Sequence, residues 1–598
     1  MRVALLYPPP WKLPEPNAPE DPIDGPPQGF TPRDLDPDFH QTPYGLLSLG
    51  AQALRAGHQA KVWNLSSFTW EKTREVIERL DADVFGLSCW TANRRGVHLV
   101  TDLIRQLHPN AHIVVGGPHA TPLAREVMEH YTSIDTVCVG ESELQFLELL
   151  ERLERDEPTQ GIAGTFYRKD GEVLEGPPRA AIEDLDTLAC PHDYFNTHIV
   201  MTSRGCPWQC TFCGAETTWG RGFRGQSIKY VLDALEHALE RLPVRMVQIK
   251  DDTFTANKRR AMDICRGIRE RNLNFLWSCD TRVDVLTEEL LKEMRLAGCQ
   301  RLSLGVESGS PKILKAIDKK ITAEKIIGAA QMAKKYGIQV RFYMMLGNRG
   351  ETRETFYETL EFLERAQPHQ YLFSCLSIYP GTVDFHDAEK QGRIHRSLYF
   401  TEKFQELKMP FDASPEDAQL MSEWFKLNCG LQRMYIESIE DCKRTLEHLG
   451  EHHAAHMDLA GAYYRASQHQ AALRHLNRAE ELGYPLPGLI HNYRACIAAA
   501  SFDLKAVQEH LRAALRQDPY HFVVARNAEV LRRWLVDGGP IKNTPLVLEG
   551  AHEFQLFEPT AQPSLPGPLP DDFDQWLDLP RVPSTTASAA RRHLNILS

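Results

Sequence analysis

Three cysteines crowded into one short run, Cys206, Cys210 and Cys213 within Ser203-Arg-Gly-Cys-Pro-Trp-Gln-Cys-Thr-Phe-Cys-Gly214, constrain this chain more than any other feature. With gaps of three and two residues, the thiols can converge from a single tight loop onto one iron–sulfur cluster. A cubane has four irons and takes thiolate as its usual protein ligand, so three thiols leave one iron open to chelate a substrate or cofactor. Among 13 cysteines in 598 residues, this spacing arises by accident with a probability of about 0.006. A zinc centre needs a fourth protein ligand. Cys190 and His198 are the candidates, and neither fits the paired spacing of zinc sites. Disulfides are disfavoured because three close thiols cannot all pair.

A chain of 598 residues is too long for one core and implies about three or four domains. An apolar share of 42% and a charged share of 25% are those of a water-soluble globular protein. A net charge of −12 argues against a dedicated nucleic-acid binder. Met1-Arg-Val-Ala-Leu-Leu-Tyr7 runs straight into prolines, so no signal peptide is expected, and nothing approaches the ~20 apolar residues of a membrane span. The remaining cysteines are scattered, as in a reduced cytoplasmic chain, a compartment that also suits an oxygen-sensitive cluster.

Residues 1–155 alternate buried β-rich runs with helical patterns. Strands are expected at Arg2–Tyr7, Ala60–Leu65, Val84–Ser88, His112–Gly116 and Thr136–Val139, and helices at Tyr44–Ala56, Thr69–Leu80, Arg95–Leu107 and Thr121–His130. That is a doubly wound parallel sheet, whose ligands sit at the carboxyl ends of the strands. The candidate edge is Ser88, the Gly116-Gly117 turn and Gly140-Glu141, where glycines let a phosphate approach backbone N–H groups. The pattern resembles the cobalamin-binding, Rossmann-like domain that precedes the radical domain in many radical S-adenosylmethionine (SAM) enzymes. By that resemblance the cobalamin nucleotide tail lies along Ser88, Gly116, Gly117, Gly140 and Glu141. The Asp-x-His-x-x-Gly motif for a lower cobalt ligand is missing. Asp38-Phe-His40-Gln-Thr-Pro43 has proline where glycine is required, so no histidine is expected beneath the cobalt.

Residues 156–197 read as a connector with a hairpin signal at Lys169-Asp-Gly-Glu172. Residues 198–395 hold six strand-like runs, His198–Ser203, Met246–Lys250, Phe275–Cys279, Arg301–Val306, Val340–Leu346 and Leu372–Tyr379, alternating with helices. Six such units suit a partial (β/α)6 barrel, with its chemistry at the strands' carboxyl ends. The cysteine run and these landmarks resemble the radical SAM superfamily, in the group that includes cobalamin-dependent methyltransferases and the anaerobic Mg-protoporphyrin monomethyl ester cyclase. The resemblance implies a 4Fe–4S cluster on Cys206, Cys210 and Cys213. SAM would be contacted at its amino end by Asp251 or Asp252, at its carboxylate by Arg282, and at its ribose by Glu307 and Ser308. The alternative for each charge is a surface or salt-bridging role. Asn348-Arg349 stands where relatives often carry proline.

Residues 396–450 read as a mixed helical extension. In 451–540, Ala472, Ala479 and Pro485 recur as Ala506, Ala513 and Pro519, a 34-residue period that resembles tetratricopeptide repeats. Such helix pairs bind a protein or peptide, or simply cap the barrel. Residues 541–598 are rich in Pro, Ser and Thr and read as a disordered tail.

The family resemblance implies methylation of an unactivated carbon: a 5′-deoxyadenosyl radical abstracts hydrogen and methylcobalamin supplies the methyl group. Oxidative cyclisation with the same cofactors is the alternative. A partner-binding protein with a vestigial cofactor domain is the alternative of another class. The expected partners are a small-molecule, carrier-tethered or peptide substrate and an electron donor such as flavodoxin or ferredoxin. The residues name no catalytic acid or base.

Overall fold

The computed structural model describes residues 1–9, 43–66, 68–242, 244–400, 413–519, 521–537 and 544–552. His40 and the rest of the proline-rich insertion to residue 42 lie outside them. Five parallel strands form the first sheet in the order β2-β1-β3-β4-β5: β1 (Arg2–Tyr7), β2 (Gln59–Asn64), β3 (Val84–Ser88), β4 (His112–Gly116) and β5 (Thr136–Cys138). Their side chains are buried on both faces, as a parallel sheet between helix layers requires. Register sets Ser88 opposite Gly116, so the strand ends finish level along one edge.

The sheet continues beyond residue 155. β6 (Thr165–Lys169) pairs antiparallel with β5, and β7 (Glu172–Glu175) pairs antiparallel with β6. The turn between them has Asp170 at φ 53° and Gly171 at φ 86°, both in the left-handed region that a tight hairpin demands. The stretch read as a connector therefore contributes two strands to the first sheet, and only the residues after Glu175 link the domains.

In the second sheet β8 (Ile199–Val200) leads to the cysteine loop. That loop is bracketed by a two-stranded ribbon of β9 (Ser203–Arg204) and β10 (Arg224–Gly225). β11 (Met246–Ile249), β12 (Leu276–Thr281), β13 (Cys299–Glu307), β14 (Gln339–Leu346) and β15 (Gln370–Cys375) follow in parallel order, completing six parallel strands with β8. β16 (Leu431–Arg433) adds an antiparallel edge, a strand inside the extension read as helical. The register of β13 on β14 shifts between Gly305 and Glu307, and Glu307 sits at φ 71°. A glutamate held there is strained backbone at a strand end.

Met345, Leu376, Ile378 and Phe385, from the carboxyl ends of β14 and β15 and the helix beyond, join the core of the first domain. The two strand-end edges therefore face each other. At the opposite end of the barrel lie helices Ile439–Leu449, His453–Arg465, His469–Glu481, Pro487–Ala500, Leu504–Gln517 and Phe522–Val536. Val244, Met246 and Leu276, where β11 and β12 begin, share one core with these helices. Fully buried Arg295 pairs with Asp458, and Asn274 donates to the Gly483 carbonyl at 2.6 Å. Residues 544–552 correct the expectation of a disordered tail: Leu548 and His552 are buried against the helices, because the helices carry side chains that bond its backbone. Among the described residues no helix is long and apolar enough to cross a membrane.

Candidate functional site: two strand-end edges around a cysteine loop

The cysteine loop is fixed from behind by Asp251. Its two carboxylate oxygens accept from Thr202 N (2.6 Å), Thr202 Oγ1 (2.5 Å), Ser203 N (3.1 Å) and Ser203 Oγ (2.6 Å). It is 1% exposed, and burial raises its carboxyl above the ordinary range. Asp251 is thus a buried anchor, committed on every side. Asp252 is less committed: it is exposed, accepts from Gly205 N at 3.1 Å, and is pushed up to about 6 by the protein packed around the carboxyl and by the charge of Asp251. Of the pair, Asp252 is the one open to a ligand.

All three thiols are unpaired. Cys206 Sγ lies 3.6 Å from Thr253 Oγ1, and Arg282 Nη1 donates to Cys210 Sγ at 3.6 Å. Burial raises the Cys210 thiol, while Lys319 and Arg282 pull it down. Cys213 is exposed as a residue, yet the protein packed around its thiol pushes it up to about 12, helped by the charges of Asp252, Cys210 and Cys206. Among the described residues no group of three or more His, Cys, Asp or Glu is arranged to hold a metal ion. A cubane offers a separate iron to each thiol, so its ligands stand farther apart than those of one ion. Three thiols on one loop, flanked by two buried cations that offset thiolate charge, fit such a cluster.

Arg282 is held by Asp284 (3.0 Å), by the Lys319 carbonyl (2.7 Å) and by Trp208, whose ring centre lies 4.6 Å from its guanidinium carbon. Lys319 pairs with Glu307 at 2.9 Å. Ser308 is fully buried and bonds Thr359 Oγ1 at 2.9 Å, so it braces the bulge rather than facing the loop. Arg349 pairs with Asp387 (2.9 Å) and with Asp384 (2.5 Å). Asp384 N donates to the Thr211 carbonyl at 3.0 Å, so Arg349 stabilises the cysteine loop from the far side.

Arg204, two residues before Cys206, ties the loop to the first domain. It reaches Glu143 at 2.5 Å and Glu141 at 3.1 Å, over the ring of Trp219. Glu141 also accepts from Arg224 (2.9 Å) and Ile182 N (2.8 Å), and Glu143 from Ser48 Oγ (2.8 Å). Burial alone would raise Glu143; the Arg204 guanidinium holds it below the usual carboxylate range. The Glu141 carboxylate is consumed by this clamp, which leaves only its backbone for a nucleotide.

On the first domain's edge, Gly117 adopts φ +108°, and a Cβ there would stand 2.8 Å from the Cys89 carbonyl. Gly140 adopts φ +70° and donates its N–H to Thr121 Oγ1 at 3.1 Å. Exposed Trp90 donates to Ser88 Oγ at 3.2 Å. A bare, glycine-walled edge with an exposed indole fits a planar, phosphate-tailed cofactor such as cobalamin. His119 is buried beside it, with Nδ1 3.1 Å from Thr91 Oγ1 and Nε2 without a partner, and burial pushes it down to about 3.

Sequence reasoning missed Arg204, Lys319, Asp384 and His119. The first lies inside the cysteine run and the last in Gly-Gly-Pro-His, so proximity to those motifs was the available signal. Lys319 and Asp384 reach the loop only through the fold.

Residues 200–363 match the radical SAM superfamily and residues 36–150 the B12 binding domain. An uncharacterised methyltransferase of Pyrococcus horikoshii is 32% identical over 353 residues, covering 57% of this chain and 77% of that one. The anaerobic magnesium-protoporphyrin IX monomethyl ester cyclase of Rubrivivax gelatinosus is 27% identical over 330 residues, covering 52% of this chain and 59% of the cyclase. In fold, the chain is similar to the radical SAM methyltransferase TsrM of Kitasatospora setae, solved with cobalamin and a [4Fe–4S] cluster. That likeness has a TM-score of 0.53 at 17% identity over 65% of this chain and 75% of that one.

Proposed function

Since the chain belongs to the radical SAM superfamily, with a B12 binding domain ahead of its radical SAM domain, we propose that it methylates an unactivated carbon using a [4Fe–4S] cluster, SAM and cobalamin. The observation that carries this reading is the Arg204 clamp, which fixes the cysteine loop between the strand-end edges of both cofactor domains. Bound there, the cluster supplies an electron, SAM a methyl group and a radical source, and cobalamin a methyl carrier.

Cys206, Cys210 and Cys213 hold the cluster. Arg282, locked against Trp208 and Asp284, sets a fixed positive charge beside Cys210 and is suited to the SAM carboxylate. Asp252 is the carboxylate open to the SAM amino group, and Asp251 acts through the loop it anchors. Glu307, on its strained bulge and paired with Lys319, is suited to the ribose; Ser308 positions that bulge. Ser88, Gly116, Gly117 and Gly140 line the cobalamin tail, with the backbone of Glu141. No side chain is assigned as an acid or base, because these residues bind, orient and exclude water. An external one-electron donor of the flavodoxin or ferredoxin type completes the requirement. Cyclisation is the less favoured reading, and the intact, buried clamp around three free thiols opposes a vestigial site.

The test is anaerobic reconstitution with iron, sulfide and hydroxocobalamin, followed by reduction in the presence of methyl-labelled SAM. Blue-region cluster absorbance should appear, vanish in the Cys206→Ala/Cys210→Ala/Cys213→Ala variant, and leave corrin bands intact in that variant. The label should pass to the corrin. A chain that binds corrin and cleaves SAM but never labels the corrin would overturn methylation and leave cyclisation.

A further inference from the structure

Asp458, Asn492 and Asn527 each occupy the sixth position of a helix, in His453–Arg465, Pro487–Ala500 and Phe522–Val536. They recur at spacings of 34 and 35 residues, so the period of the helix pairs places one polar side chain per pair on a common line. Both asparagines are buried, at 0% and 1% exposure. A layer that only capped the barrel would put apolar side chains there, since a buried amide without partners is destabilising.

All three meet the stretch 544–552. Asn527 donates to the Glu549 carbonyl at 2.8 Å and accepts from Glu549 N at 2.9 Å, pairing with one residue's backbone as an adjacent strand would. Asn492 donates to the same carbonyl at 2.9 Å and accepts from Asn527 at 2.7 Å, so the two amides act as one unit. Asp458 meets His552 Nε2 at 3.0 Å, and Tyr493 OH meets His552 Nδ1 at 2.7 Å. The shapes match as well. A Cβ on Gly461 would lie 2.7 Å from the His552 ring, and one on Gly550 would lie 2.4 Å from the Tyr464 ring. Leu548 enters the helical core.

We propose that this face of the helix pairs is a binding site for an extended polypeptide, and that residues 544–552 are a resident ligand which a second polypeptide must displace. The ladder reads main chain at one residue. The side pockets select leucine just before it and an imidazole three residues after it. A partner segment therefore carries that pattern in extended form. The resident segment follows the last helix by a few residues only, and a ligand on a short tether acts at about millimolar effective concentration. A free peptide of equal intrinsic affinity is excluded until the resident leaves.

The test uses the full chain, loaded with its cofactors, with a protease site placed between Asp537 and Thr544. Fluorescein-labelled peptide of residues 544–552 is followed by anisotropy. The cleaved chain should bind it at least tenfold more tightly than the intact chain, release its own fragment to excess peptide, and lose at least tenfold on Asn492→Ala/Asn527→Ala. An uncleaved Glu549→Pro chain, which lacks the N–H that Asn527 accepts and leaves the helices unaltered, should also gain peptide binding. If the Glu549→Pro chain keeps its helical signal yet neither it nor the cleaved chain binds the peptide better than the parent, the proposal is overturned. A fragment that excess peptide never displaces overturns it too. Neither readout depends on catalysis, so failure here leaves the methyltransferase reading untouched.

Discussion

Asp251 and Arg204 show how single charges hold the cysteine loop without touching a cofactor. Asp251→Ala strands four buried donors from Thr202 and Ser203, which costs at least about 3 kcal/mol and frees the loop. The expected outcome is a lower urea midpoint together with iron content after reconstitution well below parent. Unchanged iron would refute the anchoring role. Arg204→Met leaves Glu143 buried without its cation and Glu141 with Arg224 alone, a loss of about 3–5 kcal/mol. Its double variant with Glu143→Gln should recover part of that loss, because the pair then disappears together. A fully additive double variant would show that the two do not interact.

Gly117 turns the chain where β4 meets its loop, and any side chain there meets Cys89 backbone at 2.8 Å in a left-handed conformation. Gly117→Ala should therefore abolish corrin bands on reconstitution while leaving cluster absorbance near parent; loss of both would mean a wider collapse. At the barrel edge, His369 joins the start of β15 to the segment after β16. Its Nδ1 accepts from Val340 N at 2.9 Å, so Nε2 carries the hydrogen toward Glu437 at 2.7 Å. Burial opposes ionisation of Glu437, but the His369 contact prevails and brings it down to about 2. A depressed folded value gives stability that is present above the unfolded value near 4.5 and is lost as pH falls toward 2. The urea midpoint of the parent should fall over that window more steeply than that of Glu437→Gln; parallel curves would exclude the pair as the source.

The elements that sequence reasoning recovered are those with strong local pattern. β1, β3 and β4 begin and end where the apolar runs do. β16 was missed because three half-exposed residues carry no period, and its place is set only by pairing with β15. The site divides along the same line. The cysteines declare themselves by spacing, whereas the burial of Asp251 and the exposure of adjacent Asp252 are set by the loop folded over them and by no local pattern. The partners of Arg204 lie some sixty residues upstream, beyond any local signal.

Across the whole molecule, three bodies are joined by charge placed at their seams. Arg295, buried at the amino-terminal end of the barrel, pairs with Asp458 of the helical layer, which in turn holds His552. Arg295→Met should loosen that layer first, so helical circular dichroism and cluster absorbance should lose their common midpoint in urea; one shared transition would show that the seam is held by apolar packing alone. The layer sits where the barrel strands begin, and the cysteine loop where they end. A protein moored by its stern keeps its prow clear. Attachment to a scaffold through the helices would not crowd the mouth, so delivery of substrate and anchorage in an assembly can proceed at once without competing for room.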